Sequence, residues 1–467
     1  MNMKNFQNER KLRNVLLYAD KCLNVFLMSL PFYFAWHWFY AAKIATPFFL
    51  RGNLLVIGLY AFLYVLLANL YNGYSIPLSR VSELIYSQSL AAVLSDGILF
   101  IVILLLARKY VSLFPLLLVA CSQIAVSVLW SFLSQKVYFS VNSPLRAVLI
   151  GEEAQNAGLA AELEKAKSRF QLSDAISISE YLREPERYLE KADVIFLMET
   201  HSHGRDKVIK DCAGSRVSLY LLPNVSDALL VAAKPAHLFY RSLLEMTVYA
   251  PSLSYLLVKR CMDVALSAFA LVVLSPLMLL VAFLIRRDGG PAFYKQVRLT
   301  KDGKPFEVFK FRSMTVDAES DGVARLSTGK NDSRVTPIGR VIRRFRIDEL
   351  PQLFNILRGE MSIVGPRPER PELAAEYEKT LPEFPLRLQA KAGLTGYAQV
   401  YGKYNTTPYE KLLMDLQYMA HPGLLTDLKI IFATIKILFI PESTEGVSNS
   451  KSAGVYAETG NQGKFDG

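Results

Sequence analysis

A membrane α-helical bundle of four spans, then a small α/β domain, then a monotopic α-helical domain with a re-entrant membrane hairpin is the architecture the sequence predicts. Three observations carry it. Four apolar segments open the chain, each near or above the roughly 20 residues that cross a bilayer. Residues 143–232 alternate strand-like and helix-like stretches, and a later apolar run is broken by Pro276 and flanked by basic residues at both ends. A chain of 467 residues, 52% of them hydrophobic, has room for such a series, and its mean hydropathy is positive.

The four segments are Cys22 to Ala42, Gly52 to Asn72, Ser87 to Ala107 and Tyr110 to Gln135, within a region 1–140; Asp96 makes the third the most polar. The first is too long for a cleavable signal and more spans follow it. Lys4, Arg10, Lys11, Arg13 and Lys21 precede it, which sets the N-terminus in the cytosol by the positive-inside rule. An even number of spans returns the chain there, although Arg108 and Lys109 would then face outward.

Net charge is +11, from 53 basic and 42 acidic residues, which suits membrane lipid and phosphate groups. No compact basic domain with interleaved aromatics points to nucleic acid. The cysteines Cys22, Cys121, Cys212 and Cys261 form no close pair, and the histidines, His201 and His203 included, show no metal-ligand spacing.

In residues 143–240, apolar Ala147 to Ile150 meets Gly151, and a helical stretch runs to Lys167. Asp193 to Met198 and Val217 to Pro223 then read as buried strands, so the segment is a Rossmann-like α/β domain. Its first turn reads GEEAQNAG, which lacks GxGxxG and sets Glu152 and Glu153 where a pyrophosphate would need N–H groups. A structural or regulatory module is the expectation.

The run Val264 to Ile285 is uncharged and long enough to span. Lys259 and Arg260 before it and Arg286 and Arg287 after it both mark the cytosolic side. Pro276 removes a helix hydrogen bond, and the Ser275 hydroxyl can satisfy a freed carbonyl, so a re-entrant helix over 264–285 is preferred to a kinked fifth span. Leu424 to Phe439 is short and punctuated by Asp427, Lys429 and Lys436, which suggests an interfacial helix. The tail 441–467 reads as flexible.

Between these anchors lies a basic segment, 255–440 with its flanks. Phe293 to Met314 alternates about Asp302-Gly303, a hairpin signal that sets Lys310 and Arg312 on one face. In RRFRIDELPQLFN, Arg343 to Asn355, Asp348 reads as a helix N-cap and Glu349 as first-turn, with Pro351 forcing Leu350 from free helical geometry and Gly359 ending the run. The helix terminus and the arginines Arg340, Arg343, Arg344 and Arg346 are expected to keep Asp348 ionised and to draw in phosphates. In SIVGPRPE, Pro366 and Pro368 hold Arg367 in an extended loop, as bidentate phosphate recognition requires. GLTGYAQVYG, Gly393 to Gly402, is a third loop carrying Thr395 and Gln399.

The order KR…D, proline-broken run, QVR…KFRSM, DELPQ, GPRP and GLTGxxQV, over about Lys259 to Phe439, resembles the bacterial sugar transferase family of monotopic polyprenyl-phosphate sugar-phosphate transferases. The resemblance implies transfer of a sugar 1-phosphate from a UDP-sugar to undecaprenyl phosphate, UMP release, Mg²⁺, and a place in the bacterial inner membrane with the catalytic domain facing the cytosol. It implies that Asp348 is a covalent nucleophile and that Glu349 assists it and the metal. Lys310, Arg343 and Arg367 then match positions that handle phosphate or nucleotide, with Arg312, Pro366 and Pro368 as substrate-binding neighbours. The N-terminal bundle offers support for a homodimer. Two alternatives stay open: a nucleotide-sugar dehydratase or epimerase, for which Tyr255 and Lys259 have the Tyr-x-x-x-Lys spacing, and a non-enzymatic scaffold of polysaccharide assembly.

Overall fold

The computed structural model describes residues 3–199, 204–246, 249–287, 289–315, 334–402 and 406–438. The tail from Pro441 and the pair His201 and His203 lie outside them. The chain divides into two compact units, Met1–Leu222 and Pro223–Gly467.

The first unit opens with α1 (Met3–Ala35), α2 (Leu50–Leu70), α3 (Val81–Ala107) and α4 (Phe114–Val141). These match the expected spans, and together with α10 below they make five described helices long and apolar enough to cross a membrane. Apolar residues cover their outer faces, while their inner faces exchange polar bonds: Tyr64 donates to Asn24 at 2.8 Å and Gln123 to the Tyr60 hydroxyl at 2.8 Å. Such bonds between helices hold a bundle where burial against apolar surroundings gives no driving force.

The α/β region follows: β1 (Leu145–Ile150), α5 (Glu153–Lys165), β2 (Phe170–Ile176), α6 (Ile178–Arg183), α7 (Pro185–Lys191), β3 (Val194–Leu197), α8 (Arg205–Ala213) and β4 (Ser218–Leu221). The strands form one parallel sheet in the order β2-β1-β3-β4. Val148, Ile150, Ile195 and Leu197 are buried against Tyr181, Val208 and Cys212. At the end of β1, the buried Asn156 amide donates to the Gly151 carbonyl at 2.8 Å, and Gly151 N–H is itself donated to the Ile176 carbonyl at 3.0 Å, whereas a dinucleotide fold would leave such N–H groups open.

The second unit begins with α9 (Val225–Leu230) and the antiparallel pair β5 (Lys234–Leu238) and β6 (Arg241–Glu245). The sequence groups α9 and β5 with the α/β domain; Ala228 instead packs in a core with Leu412, Leu413 and Leu416. Next come α10 (Leu253–Arg286), the hairpin β7 (Phe293–Leu299) and β8 (Pro305–Phe311), α11 (Pro337–Arg344), α12 (Gln352–Arg358), β9 (Ser362–Val364), α13 (Pro371–Thr380), β10 (Gly393–Thr395), α14 (Tyr397–Tyr401), α15 (Pro408–Ala420) and α16 (Leu424–Leu438). Asp302 and Gly303, at φ 58° and 70°, make the hairpin turn where expected.

Within α10, Pro276 leaves the Val272 carbonyl without its helical donor, and Ser275 Oγ donates to that oxygen at 2.8 Å. Helix residues on both sides of Pro276 pack on this unit. Ala270 and Leu271 meet Phe306, Val308 and Leu353, whereas Met278, Val281 and Ile285 meet Phe311 and Ile342. Phe269, Val272, Val273, Leu279 and Phe283 remain exposed along the same helix.

Candidate active site

Asp348 does not cap a helix. It lies with Glu349 in a 3₁₀ turn, Ile347–Glu349, entered through Arg346 in the left-handed region at φ 53°. Leu350 is helical at φ −56°, because proline is accommodated at the start of the following helix, and Pro351 rather than Asp348 takes the cap position of α12. Gly359, at φ 86°, ends that helix as expected. The turn sets the two neighbouring carboxylates in different surroundings.

Glu349 is held by cations. Its Oε1 lies 3.3 Å from Lys310 Nζ and 3.2 Å from an Arg367 guanidinium nitrogen, and its Oε2 lies 3.9 Å from Arg346. Burial alone would raise its pKa, but Lys310, Arg367 and Arg346 outweigh burial and hold it below the usual glutamate range. In return Glu349 holds the Arg367 pKa up, while burial pulls that of Lys310 down against it. Among the described residues no salt bridge reaches Asp348. Burial first, and then the negative charge of Glu349, push its pKa above the aspartate range; Lys310, Arg343 and Arg367 oppose this without reversing it. The expected low pKa of Asp348 is therefore corrected: the cations serve Glu349 before they serve Asp348.

The other expected residues divide. Lys310 and Arg367 meet at Glu349, and Arg343 reaches Asp348 through its field. Arg312 does not share the face of Lys310: it is buried past the end of β8 and donates to the Ile285 carbonyl at 3.2 Å, at the end of α10. The carbonyl of Pro366 accepts from Gly393 N–H at 2.9 Å and that of Pro368 from Arg298 at 3.0 Å, so the GPRP loop is tied on both sides of Arg367. Gly365 admits the close crossing of β9 and β10, since a side chain there would collide with the Lys391 carbonyl.

Several contributors had no role assigned from sequence. Arg387, 1% exposed, pairs with buried Asp415 at 2.6 Å and donates to the Arg367 carbonyl at 2.9 Å. Nothing in its surrounding LRLQ marks it. Asn355, fully buried, accepts from Phe309 N–H at 3.0 Å and donates to the Glu307 carbonyl at 2.7 Å, which locks the strand of Lys310 to α12. Arg298 and Gln399 line the same cleft as Lys310, Glu349 and Arg367. Tyr255 and Lys259 both bond buried Asp427, at 2.9 and 2.7 Å, so their dehydratase-like spacing serves an internal cluster. The same cluster carries α16 into the domain through Asp427, where the sequence suggests an interfacial helix.

As a metal site, the carboxylate pair suits an ion shared with substrate phosphates. Among the described residues no group of three or more His, Cys, Asp or Glu side chains could hold one alone. Mg²⁺ commonly takes one or two protein carboxylates and completes its shell with phosphate oxygens and water, and Asp348 has oxygens not engaged by cations.

Residues 254–441, which contain all of this geometry, match the family described as bacterial sugar transferase. The exopolysaccharide production protein PSS of Rhizobium leguminosarum bv. phaseoli is 41% identical over 201 residues, 98% of its length and 41% of this chain. The chain belongs to the bacterial sugar transferase family. The chain is also 35% identical over 237 residues to the UDP-N-acetylgalactosamine-undecaprenyl-phosphate N-acetylgalactosaminephosphotransferase of Aeromonas hydrophila, covering 50% of this chain and 55% of the relative. It is 41% identical over 191 residues to the UDP-glucose:undecaprenyl-phosphate glucose-1-phosphate transferase of Klebsiella pneumoniae, 40% of this chain and 41% of the relative. The match thus spans about half the length of those two proteins.

Proposed function

We propose that this sugar transferase moves a sugar 1-phosphate from a UDP-sugar to undecaprenyl phosphate, as the first membrane step of exopolysaccharide, capsule or O-antigen synthesis. The observation that carries the reading is the division of labour in the carboxylate pair: Glu349 is clamped by Lys310 and Arg367, and the adjacent Asp348 carries no such clamp. An Asp348 oxygen attacks the β-phosphorus, the bond from that phosphorus to the bridging oxygen breaks, and UMP departs with the electron pair. An oxygen of the lipid phosphate then attacks the same phosphorus and expels the Asp348 carboxylate. Covalent catalysis of this kind separates a water-soluble donor from a lipid acceptor in two half-reactions. Lys310, Arg343 and Arg367 stabilise the oxygens that gain charge. Asp348 and Glu349 would hold Mg²⁺, which supplies further neutralisation of the diphosphate when bound.

The same reading sets α1–α4 across the bacterial inner membrane and the second unit on its cytosolic face, with α10 entering and leaving from that face. Support comes from packing: Lys259 near one end of α10 pairs with Asp427, and the Ile285 carbonyl near the other accepts from Arg312. A spanning helix would divide those partners between two sides of the bilayer. The occupied roles of Tyr255 and Lys259 weigh against a dehydratase.

Incubating the protein with labelled UDP-sugar, without lipid, tests the reading. At most one UMP per site should be released, and labelled sugar phosphate should remain on a peptide containing Asp348. Near-normal transfer by Asp348→Asn would show instead that the lipid phosphate attacks the donor directly.

A further inference from the structure

The KR…D motif at the start of α10 finds no part in the carboxylate chemistry, yet its aspartate is 3% exposed. Asp263 Oδ2 accepts from Ser362 Oγ at 2.7 Å, and its Oδ1 accepts from Ile363 N–H at 3.0 Å. The second bond answers a need of the backbone. Ser362 N–H is donated to the Ala392 carbonyl beside β10, so the next N–H along the strand points to the opposite edge, where β9 has no strand partner among the described residues. Three residues beyond β9 stands Arg367, on Glu349. One turn of α10 thus grips the chain that approaches Arg367. The neighbouring Arg260 grips the chain that leaves Glu349, donating to the carbonyls of Ile356 and Leu357 at 2.6 and 2.8 Å at the end of α12.

We propose that Asp263 is a positioning residue: by fastening β9 to α10 it fixes where the Arg367 guanidinium meets Glu349 and the donor diphosphate. The inference rests on the reading of Arg367 as a diphosphate ligand and adds the device that aims it. It also assigns α10 a second task, since the helix that seats the domain on the membrane sets the geometry of the cleft.

The test is a mutant cycle on the full-length protein in lipid nanodiscs that contain undecaprenyl phosphate, following steady-state UMP release against UDP-sugar concentration. Asp263→Ala removes two hydrogen bonds to a charged group and should raise the donor KM and lower kcat/KM by about tenfold or more. Asp263→Asn should recover most of this, because its amide can accept from Ile363 N–H and donate to Ser362 Oγ. In an Arg367→Ala background Asp263→Ala should have little further effect, since the group it aims is gone. If Asp263→Ala does not fold, Ser362→Ala removes a single bond and enters the same cycle with a smaller expected loss. Full additivity of the two losses, or a loss confined to kcat with KM unchanged, would overturn the inference while leaving Arg367 as a ligand. Wild-type kinetics in Arg367→Ala alone would overturn the reading of Arg367 and this inference with it.

Discussion

Asp348 and Glu349 are neighbours of nearly identical chemistry whose proton affinities the fold drives in opposite directions. Glu349 sits between Lys310 and Arg367, whereas Asp348 feels burial and the charge beside it. The sequence shows the cations and the carboxylates but not which pairs with which, because that is set by the 3₁₀ turn that Arg346 enters at positive φ together with the distant segments that carry Lys310 and Arg367. The pKa of Asp348 is higher in the folded protein than its unfolded value, so its ionisation opposes folding. Its stabilising share is complete below the unfolded aspartate pKa and is lost as pH rises through the folded one. Asp348→Asn should therefore raise Tm at neutral pH by about 1–3 °C, with the gain shrinking as pH falls into the acid range. Calorimetry or a dye-based melt at two pH values checks this, and a lower Tm for the variant at neutral pH would contradict it. The acid limb of kcat/KM for the donor should likewise lie above the ordinary aspartate range, since the nucleophile must be ionised in the free enzyme.

At the scale of elements, what could be read from sequence follows how each segment meets its surroundings. The spans and the β7–β8 hairpin were legible because apolar length and an Asp-Gly turn are local signals. β2 (Phe170–Ile176) carries no such signal: its residues alternate between partial burial and exposure at the edge of the sheet, so its composition reads as a polar connection. The burial of Asp427 is equally unreadable, since two of its partners, Tyr255 and Lys259, come from a distant part of the chain. For α10 the proline signal was local, and Ser275 answers it on the Val272 carbonyl. If both ends of this helix face the cytosol, cysteines introduced at positions 259 and 287 in a cysteine-free background should both be shielded from an impermeant external reagent. Labelling from outside at position 287 alone would make α10 a fifth span. Pro276→Ala restores the missing hydrogen-bond donor and should lower transfer by changing how α10 enters the membrane; unchanged activity and topology would make the proline dispensable.

The whole molecule divides its tasks between units, and the α/β region shows what its fold does not bring with it. At the β1 turn Gly151 N–H is bonded to the Ile176 carbonyl, and Glu152 stands at the cap of α5, so neither the donors nor the charge suit a pyrophosphate. Purified protein should carry no NAD and should show UMP release unaffected by added NAD, while stoichiometric co-purifying NAD would reopen the dehydratase reading. Chemistry should then reside in the second unit. The Rhizobium relative is matched over 98% of its length by 41% of this chain, and the cores beneath the carboxylate turn are built from residues after Leu253. The place to cut matters, however. Val225, Ala228 and Leu229 of α9 pack on Leu412, Leu413 and Leu416, so a chain beginning at residue 223 keeps that core closed and one beginning at 253 opens it. Fully burying an aliphatic side chain of this size contributes about 1.5–3 kcal/mol, which predicts a Tm lower by roughly 5 °C for the shorter chain. Both truncations should transfer sugar phosphate in nanodiscs at low temperature, and the shorter should lose activity first on warming. Loss of transfer in the 223 variant at low temperature, with α10 inserted and the melt cooperative, would mean that the first unit takes part in the reaction itself.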